Sequence, residues 1–543
     1  MKASTAARFV GFLVLAATIG WLGCSGPGPA QGDQGRPPSL ERQASHARTA
    51  SLEWGRELFA RQCVVCHGER GDGQGQAAYL LSPLPRDFGS GRFRLVSTAN
   101  SVPSQADLEA LLRRGMPGSA MPPFDWMQDE ERASLALFVR QLAEDGLVRG
   151  LEAYAAEQEE AFDEAEARAI AHERMTPGAE VDLGLAPAAS AELGERGRAL
   201  YAISCAACHG ADGRARAVDV QWNEDGTPTR PRDFTAGIFK GGSRREDIVR
   251  RLRCGLPGSP MPSTELATPA DAWALATFVT SLVPPGAEER VLQLRTRIVA
   301  HRVRSLPASP AAREWKDVAS VRLPLTPLWW RDQRVEGVEL AALHDGKRLA
   351  VRLTWEDATD DHELLGTETF SDLCALQLTA APEPPLFTMG AAGESVNIWS
   401  WKAGWEAEGV RPRDVVDRYP NLSADLYGPQ PDEVRPLFIT ARAVGNPMAA
   451  EERPVAGEEL SAQGFGTLAP LSAGKRTLDV HSERHDGVWQ VLFTRALASD
   501  APEVVALVPG TRAFLAAAVW DGSAGDRNGQ KSVSVWQELE IEP

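Results

Sequence analysis

The stretch Cys63-Val64-Val65-Cys66-His67 has a second copy in the same chain, Cys205-Ala206-Ala207-Cys208-His209. Each copy is followed by a Met-Pro pair, Met121-Pro122 after the first and Met261-Pro262 after the second. Two thiols three positions apart can add to the two vinyl groups of one porphyrin, and the adjacent histidine can then bind the iron as its proximal ligand. The spacing therefore predicts two covalently bound c-type haems, each with a methionine as the other axial ligand.

Each predicted haem has two attachment cysteines and two axial ligands. These residues are Cys63, Cys66, His67 and Met121 in the first copy, and Cys205, Cys208, His209 and Met261 in the second. Met116 competes with Met121, but the second copy has Leu256 at the position of Met116, which favours Met121 as ligand and Met116 as a wall of the haem pocket. A zinc site, the other common use of paired cysteines, needs a second pair of ligands at short spacing, and neither motif has one nearby.

The duplication extends beyond the two haem motifs and predicts two copies of one helical domain. The repeated segments are Gly55-Arg56-Glu57-Leu58-Phe59 and Gly197-Arg198-Ala199-Leu200-Tyr201, then Pro85-Arg86-Asp87-Phe88 and Pro231-Arg232-Asp233-Phe234. Each copy ends in an apolar stripe with the spacing i, i+3, i+4, i+7, which is typical of an amphipathic helix. These stripes begin at Leu135 and Leu275, and we expect them to pack against the helices that carry Gly55 and Gly197.

With these motifs, residues 50–145 and 190–285 resemble class I cytochromes c. The resemblance implies an all-α fold in which the first and last helices cross beside the haem. Arg86 and Arg232 can bind haem propionates through their guanidinium groups, or each can pair with the adjacent aspartate and hold its own loop. The Glu- and Ala-rich segment between the copies predicts a solvated connecting helix, with His172 on its surface.

The N-terminus has the pattern of an export signal, because Lys2 and Arg8 precede an apolar run that is short for a membrane span. We predict a signal peptide over residues 1–23 and a flexible tether over 24–48. The sequence around Cys24 resembles a bacterial lipoprotein cleavage site, which implies a lipid on Cys24 and a location in the periplasm or at the cell surface. An ordinary cleaved signal or an uncleaved anchor is the alternative.

The length of the chain limits the number of domains, and its net charge limits the kinds of partner. A chain of 543 residues predicts about three compact units. The net charge of −17 argues against nucleic acid or anionic lipid as a partner. The predicted units are a first cytochrome c domain over 49–148, a helical linker over 149–189, a second cytochrome c domain over 190–286, a linker over 287–306, and a third domain over 307–543.

The third domain has the alternating pattern of β-strands. Runs such as Leu349, Val351, Leu353 and Trp355 alternate with polar or small residues, and Asp-Gly pairs at 345–346 and 486–487 precede two of these runs. This pattern predicts an all-β, sandwich-like domain. It contains no recognisable nucleophile-base set, phosphate loop or metalloprotease motif, so we predict no catalytic site for the chain itself and leave its enzyme class open.

Several segments of this domain resemble the haem b-binding gamma subunits of ethylbenzene dehydrogenase, dimethylsulfide dehydrogenase, and selenate and chlorate reductases. They include Phe387-Thr388-Met389-Gly390, Val396-Asn397-Ile398-Trp399-Ser400-Trp401-Lys402 and the segment through Lys531. The resemblance implies that Met389 and Lys531 bind the iron of one noncovalent haem b, with Lys402 as the rival amine. Without a haem, Met389 would fill a gap in the core and Lys531 would lie at a solvated strand edge. Cys254 and Cys374 have no assigned role.

Together these features predict an exported electron-transfer protein with two haems c and one haem b. By resemblance, it is a subunit of a periplasmic molybdenum oxidoreductase. The β domain would bind the iron–sulfur subunit that accompanies the molybdopterin subunit, and the cytochrome c domains would reach another redox carrier. The alternative is a dihaem cytochrome c with a carbohydrate- or protein-binding module, whose exposed platforms would be Trp329, Trp330 and Trp405. A dihaem peroxidase needs an open coordination position, whereas both repeats keep a methionine.

Overall fold

The computed structural model describes residues 48–216, 219–331, 333–409, 413, 415–421, 455–501 and 503–543. The predicted signal peptide, Cys24 and all of the predicted tether except Arg48 lie outside these residues. Within the described ranges, no helix combines the length and apolar character needed to cross a bilayer.

The first repeat is helical, as predicted. Its helices are α1 (Leu52–Gln62), α2 (Val64–His67), α3 (Gln105–Arg114) and α4 (Asp129–Glu157), and α5 (Glu164–Arg174) follows in the connecting segment. The Ser51 hydroxyl caps α1 by accepting from Trp54 N, and Ser104 with Asp107 forms a capping box at the start of α3. The haem motif therefore begins where α1 ends, and α2 is the single turn that carries Cys66 and His67.

The second repeat has the same helices in the same order. They are α6 (Ala191–Ser204), α7 (Ala206–His209), α8 (Arg245–Cys254) and α9 (Pro269–Ser281). A short hairpin, β1 (Gln221–Trp222) with β2 (Pro228–Thr229), is inserted between α7 and α8. Pro269 stands in the first turn of α9, where its missing N–H costs no hydrogen bond.

In each repeat the first and last helices cross at a glycine, which confirms the predicted packing. A Cβ on Gly55 would lie 2.1 Å from Ser134 O in α4, and a Cβ on Gly197 would lie 2.0 Å from Ala274 O in α9. Beside the first crossing, the rings of Phe59 and Phe138 are 5.3 Å apart. Only glycine allows the helix backbones to approach so closely.

The connecting segment differs from the single solvated helix that the sequence predicts. Helix α4 continues to Glu157, and α5 packs against it through the buried residues Val148, Ala167 and Ala171. The small alanine side chains allow this contact, and Met175 after α5 enters the core of the first repeat. His172 is exposed, as expected.

The third domain contains fourteen described strands in one hydrogen-bonded sheet. The strands are β3 (Arg297–Arg302), β4 (Val321–Pro324), β5 (Thr326–Pro327), β6 (Gly337–His344), β7 (Arg348–Glu356), β8 (Leu373–Thr379), β9 (Val396–Lys402), β10 (Gly457–Ala462), β11 (Ala469–Pro470), β12 (Asp479–His485), β13 (Val488–Ala496), β14 (Arg512–Trp520), β15 (Ser532–Val533) and β16 (Gln537–Ile541). Two short helices, α10 (Ala403–Glu408) and α11 (Val415–Arg418), follow β9. The main path runs β11-β10-β9-β8-β14-β16-β3-β6-β7-β13-β12, and only β16–β3 and β3–β6 pair in parallel.

The core of this domain lies between the two halves of the sheet, which confirms the predicted sandwich-like fold. Leu353 and Phe493 from one half share a buried cluster with Leu376 and Trp399 from the other half. At the predicted Asp-Gly turn between β12 and β13, Asp486 and Gly487 have φ of 50° and 76°, as a tight hairpin turn requires.

The two glycines of α6 give a test of the helix crossing. Gly197→Ala should destabilise the second repeat by about 2 kcal/mol or more, because the added methyl group overlaps a backbone carbonyl of α9. Gly194→Ala in the same helix meets nothing within 4 Å, so this control should be stabilised by about 0.5–1 kcal/mol. Urea unfolding followed by circular dichroism measures both, and equal effects would contradict the crossing.

Candidate haem-binding sites

One cavity of about 1090 Å³ lies between the first repeat and the β-sheet domain. At one end it is lined by Cys63, Cys66, His67 and Met121. The structure therefore brings the four residues predicted for the first haem c around a common space. Met116 lines this space too, so the choice of Met121 as ligand remains a prediction.

The imidazole of His67 is held in place by a backbone carbonyl and by the ring of Phe88. Its Nδ1 lies 3.1 Å from the carbonyl oxygen of Arg86, and its ring stacks on Phe88 with the centroids 4.6 Å apart. Burial lowers the pKa of His67 to about 4, so the ring is neutral near pH 7. With the proton on Nδ1 donated to that carbonyl, Nε2 is left with a lone pair for a metal.

The second repeat reproduces this arrangement. His209 Nδ1 lies 3.2 Å from Arg232 O, and the ring stacks on Phe234 at 4.4 Å. The backbone N–H of Leu256 donates to Met261 O over 2.9 Å, as Met116 does to Met121. Cys208 is exposed, and nearby Ile203 has 82% of its surface in solvent. The second site is therefore open to solvent beside an apolar side chain.

Arg86 and Arg232 both make contacts across the boundary between the repeats. Arg86 Nη1 is 3.8 Å from the carboxylate of Asp225 in the second repeat. Arg232 Nη2 donates to Gly118 O in the methionine loop of the first repeat over 2.7 Å. The adjacent Asp87 instead accepts from Gly89 N within its own loop.

Two further cations at this boundary, Arg94 and Lys240, were not predicted from the sequence, and they line the cavity. Burial and the neighbouring arginines lower the pKa of Lys240 well below its ordinary value, and burial lowers that of Arg94 to about 10. Partly buried cations gathered in this way are suited to carboxylates such as haem propionates. Arg94 and Lys240 occupy equivalent positions after the repeated residues Phe88 and Phe234, and this repeat is the sequence signal that could have identified them.

The other end of the same cavity is lined by Met389, Lys531 and Lys402. Met389 has a φ of 66°, in the left-handed region that a side chain with a Cβ adopts at a cost of about 1 kcal/mol or more. Met389 also packs against the apolar cluster of β8, β9 and β14 that includes Ile398 and Ala516. The chain thus holds an unfavourable backbone conformation where the resemblance implies a haem b ligand.

The two lysines differ in their surroundings. Lys531 Nζ lies over the ring of Trp520 at 4.7 Å, and burial lowers the pKa of Lys531 to about 8. In the described part of the chain, no carboxylate forms an ion pair with it. Lys402 Nζ is 3.6 Å from the buried carboxylate of Glu458, which favours the ammonium form. Lys531 can therefore lose its proton and offer iron a neutral amine more easily than Lys402 can.

The segment Leu386-Phe387 joins the two ends of the cavity. Leu386 is buried in the core of the first repeat. Phe387 contacts both that core and the cluster around Met389. The segment is held by hydrogen bonds from Trp536 Nε1 to Pro385 O and from Gln377 Nε2 to Phe387 O.

Cys254 and Cys374 are free thiols. Cys254, at the end of α8, packs against the core of the first repeat. Cys374 is fully buried in the β-sheet core, where burial raises its pKa well above the ordinary value. Both cysteines thus occupy positions that are typical of small apolar residues in a core.

Three known protein families match separate parts of the chain. The Cytochrome c family matches residues 52–143, and the family of cbb3-type cytochrome c oxidase subunit III matches 192–279. The Ethylbenzene dehydrogenase family matches 312–424 and 471–532.

The proteins similar to this chain include two curated proteins and a chain of a solved structure. A protein of Haloferax mediterranei named as a respiratory nitrate reductase haem subunit is 25% identical over 44% of this chain and 69% of its own length. The chlorate reductase subunit gamma of Ideonella dechloratans is 25% identical over 42% of this chain and 78% of its own. A chain of the Kuenenia stuttgartiensis reducing HAO-like protein complex Kustc0457/Kustc0458 is 31% identical over 43% of this chain and 97% of its own, with a TM-score of 0.37.

The family matches and the two curated relatives define the class of protein, which is a haem-carrying electron-transfer protein. More particularly, the chain consists of cytochrome c domains followed by a domain of the ethylbenzene dehydrogenase gamma type, so the predicted resemblance is confirmed. The cytochrome c domains imply haem c and indicate an extracytoplasmic location, and the gamma-type domain indicates haem b.

The choice between the two methionines of the first repeat can be tested by substitution. Met121→Ala should leave the haem attached but open one axial position, which lowers the reduction potential and lets carbon monoxide bind the reduced iron. Met116→Ala is the matched control and should keep the six-coordinate spectrum. A change of spectrum and potential in Met116→Ala alone would reverse the assignment.

The two lysines at the other end of the cavity can be compared in the same way. Lys531→Ala should convert the low-spin b spectrum to a five-coordinate or water-ligated form, or lose the b haem, and leave both c haems unchanged. Lys402→Ala should have a milder effect because its amine is already paired with Glu458. Optical and EPR spectra measure both variants, and loss of the low-spin b signal only in Lys402→Ala would show that Lys402 is the ligand.

Proposed function

We propose that the chain is an exported electron-transfer subunit that binds two haems c and one haem b. It connects the iron–sulfur subunit of a molybdenum oxidoreductase with another redox carrier. The observation that carries this proposal is the shared cavity, in which the ligand set of the first haem c and the ligand set implied for haem b line one continuous space.

The residues present fit haem at both ends of this cavity. Haem iron supplies reversible one-electron chemistry. Cys63 and Cys66 would fix the porphyrin covalently, and the contact of His67 with Arg86 O keeps Nε2 available. Axial His and Met ligands together leave no position for a substrate. We therefore assign the chain electron transfer and no catalytic site of its own.

The contacts between domains support an order of the three sites, from haem b to the first haem c and then to the second. The first repeat shares its cavity with Met389 and Lys531. It also contacts the second repeat, where Arg114 Nη2 donates to Phe239 O over 3.2 Å. The second site, with Cys208 exposed, is the one that another redox carrier can approach.

The proposed partners are based on the names of the two curated relatives. One is named as a haem subunit of a respiratory nitrate reductase and another as the gamma subunit of a chlorate reductase. We propose that the β-sheet domain binds the iron–sulfur subunit of a similar complex that also contains a molybdopterin subunit. A lipid on Cys24 would hold the assembly at the membrane. The net charge of −17 gives nucleic acid no favourable surface.

The structure does not favour the alternative of a carbohydrate-binding module. The expectation of three exposed tryptophans is wrong for Trp405, which is 2% exposed and lies beneath Lys402. The Trp330 ring is contacted by the guanidinium groups of Arg232 and Arg334, which lie 4.7 and 4.6 Å from its centroid. Trp329 is 38% exposed, and a single ring makes a weak platform for a sugar.

The haem content tests the proposal. Extraction of the purified holoprotein with acid-acetone should remove one haem and leave two, because only the cysteine-bound porphyrins are covalent. The pyridine haemochrome spectrum should give two c-type haems for each b-type haem. Protein made with ample haem that contains c-type haem alone would refute the b site and favour the binding module.

A further inference from the structure

Three buried aspartates meet at one end of the β-sheet domain. Asp357 follows β7, Asp372 precedes β8 and Asp521 follows β14. They are 6%, 0% and 6% exposed. Since β7 belongs to one half of the sheet and β8 and β14 to the other, the cluster lies where the two halves come together.

The three carboxylates are closer than buried like charges can be without compensation. One oxygen from each lies within 4.8 Å of the other two. Among the residues with described placement, none of the three forms an ion pair with a lysine or arginine. Arg484 is near, but its guanidinium donates to the backbone oxygen of Asp357 over 2.8 Å. Burial, with the charges of Asp357 and Asp361, raises the pKa of Asp372 to about 7.

Neutral donors form hydrogen bonds to all three carboxylates, including both oxygens of Asp372. Asp372 accepts from Gly522 N at 2.9 Å and from Trp489 Nε1 at 3.2 Å. Asp521 accepts from Ser523 Oγ at 2.7 Å and from Ala524 N at 3.1 Å. These donors orient the carboxylates but do not neutralise them.

Asp357 has an oxygen with no partner. Its Oδ1 accepts from Thr359 N at 3.0 Å, whereas Oδ2 is buried and has no hydrogen bond. A buried carboxylate oxygen without a hydrogen bond is strongly unfavourable unless a proton or a cation satisfies it. Asp357, which carries this unpaired oxygen, comes from one half of the sheet, whereas Asp372 and Asp521 come from the other half.

We propose that Asp357, Asp372 and Asp521 bind one Ca²⁺ ion. The donor set consists only of oxygen atoms, which suits a hard cation rather than a transition metal. Calcium–oxygen distances are about 2.3–2.6 Å, so ligands on opposite sides of the ion are roughly twice that distance apart. The observed separations of at most 4.8 Å fall within this limit.

The bound ion would fix the start of the loop that leads to Lys531. Asp521 begins this loop, and further along it Asp526 pairs with Arg331 at 3.0 Å. The ion would thus join the two halves of the sheet and hold the segment that carries the amine implied for haem b. The calcium site itself rests on the sheet geometry and does not depend on haem binding.

The test begins with the full-length holoprotein, purified without chelator and dialysed against calcium-free buffer. Elemental analysis, with chain concentration taken from the c-haem absorbance, should find one calcium ion per chain. EGTA should lower the melting temperature of the β-sheet domain by roughly 5 °C. Added Ca²⁺ should restore it, and Mg²⁺ at the same concentration should not. Absence of stoichiometric calcium together with no effect of EGTA would overturn the proposal.

Two matched variants localise the ion. Asp357→Asn should lose the calcium and its sensitivity to EGTA. The control Asp360→Asn, at an exposed carboxylate in the same loop, should keep both. Asp521→Asn provides a second ligand variant if Asp357→Asn does not fold. Calcium retained in a folded variant at Asp357 or Asp521 would refute the assignment, and this result is independent of whether haem b is present.

Discussion

The proposed haem sites are brought together by the packing of the β-sheet domain on the first repeat, in which Leu386 is buried in the core of that repeat. Its side chain is 8% exposed in that core, and burial of a leucine contributes roughly 1.5–3 kcal/mol. The neighbouring Phe387 packs on both domains. This packing, together with contacts such as that of Tyr79 with Phe465, keeps the cysteine motif and Met389 around one cavity.

The sequence predicts those parts of the sites that are set by local spacing. The pentapeptides place both cysteines and the histidine on one helical turn, and the glycine and apolar patterns predict the crossings at Gly55 and Gly197. Strand alternation predicts the sheet that curves over its own core. The carbonyl partners of His67 and His209 also lie in repeated motifs, although their role as hydrogen-bond acceptors was not foreseen.

Contacts between distant segments could not be read from the sequence. The cations Arg94 and Lys240 meet only because the repeats pack face to face, and the cluster around Asp357 forms only when both halves of the sheet close. Trp405 was expected at the surface, but α10 turns it beneath Lys402. The connecting segment folds back as α5 because its alanines pack on α4, a contact that composition alone does not distinguish from a solvated helix.

The most direct test of the shared cavity is the rate of electron transfer between the b and c haems within one chain. Flash photoreduction of the purified holoprotein, followed at the separate b and c absorption bands, measures this rate. Transfer across the shared cavity should have a rate that is independent of protein concentration. The rate should survive loss of the second haem c in a Cys205→Ser, Cys208→Ser variant and disappear in the corresponding Cys63→Ser, Cys66→Ser variant. A rate proportional to protein concentration, or one abolished only by loss of the second haem, would contradict transfer across this cavity.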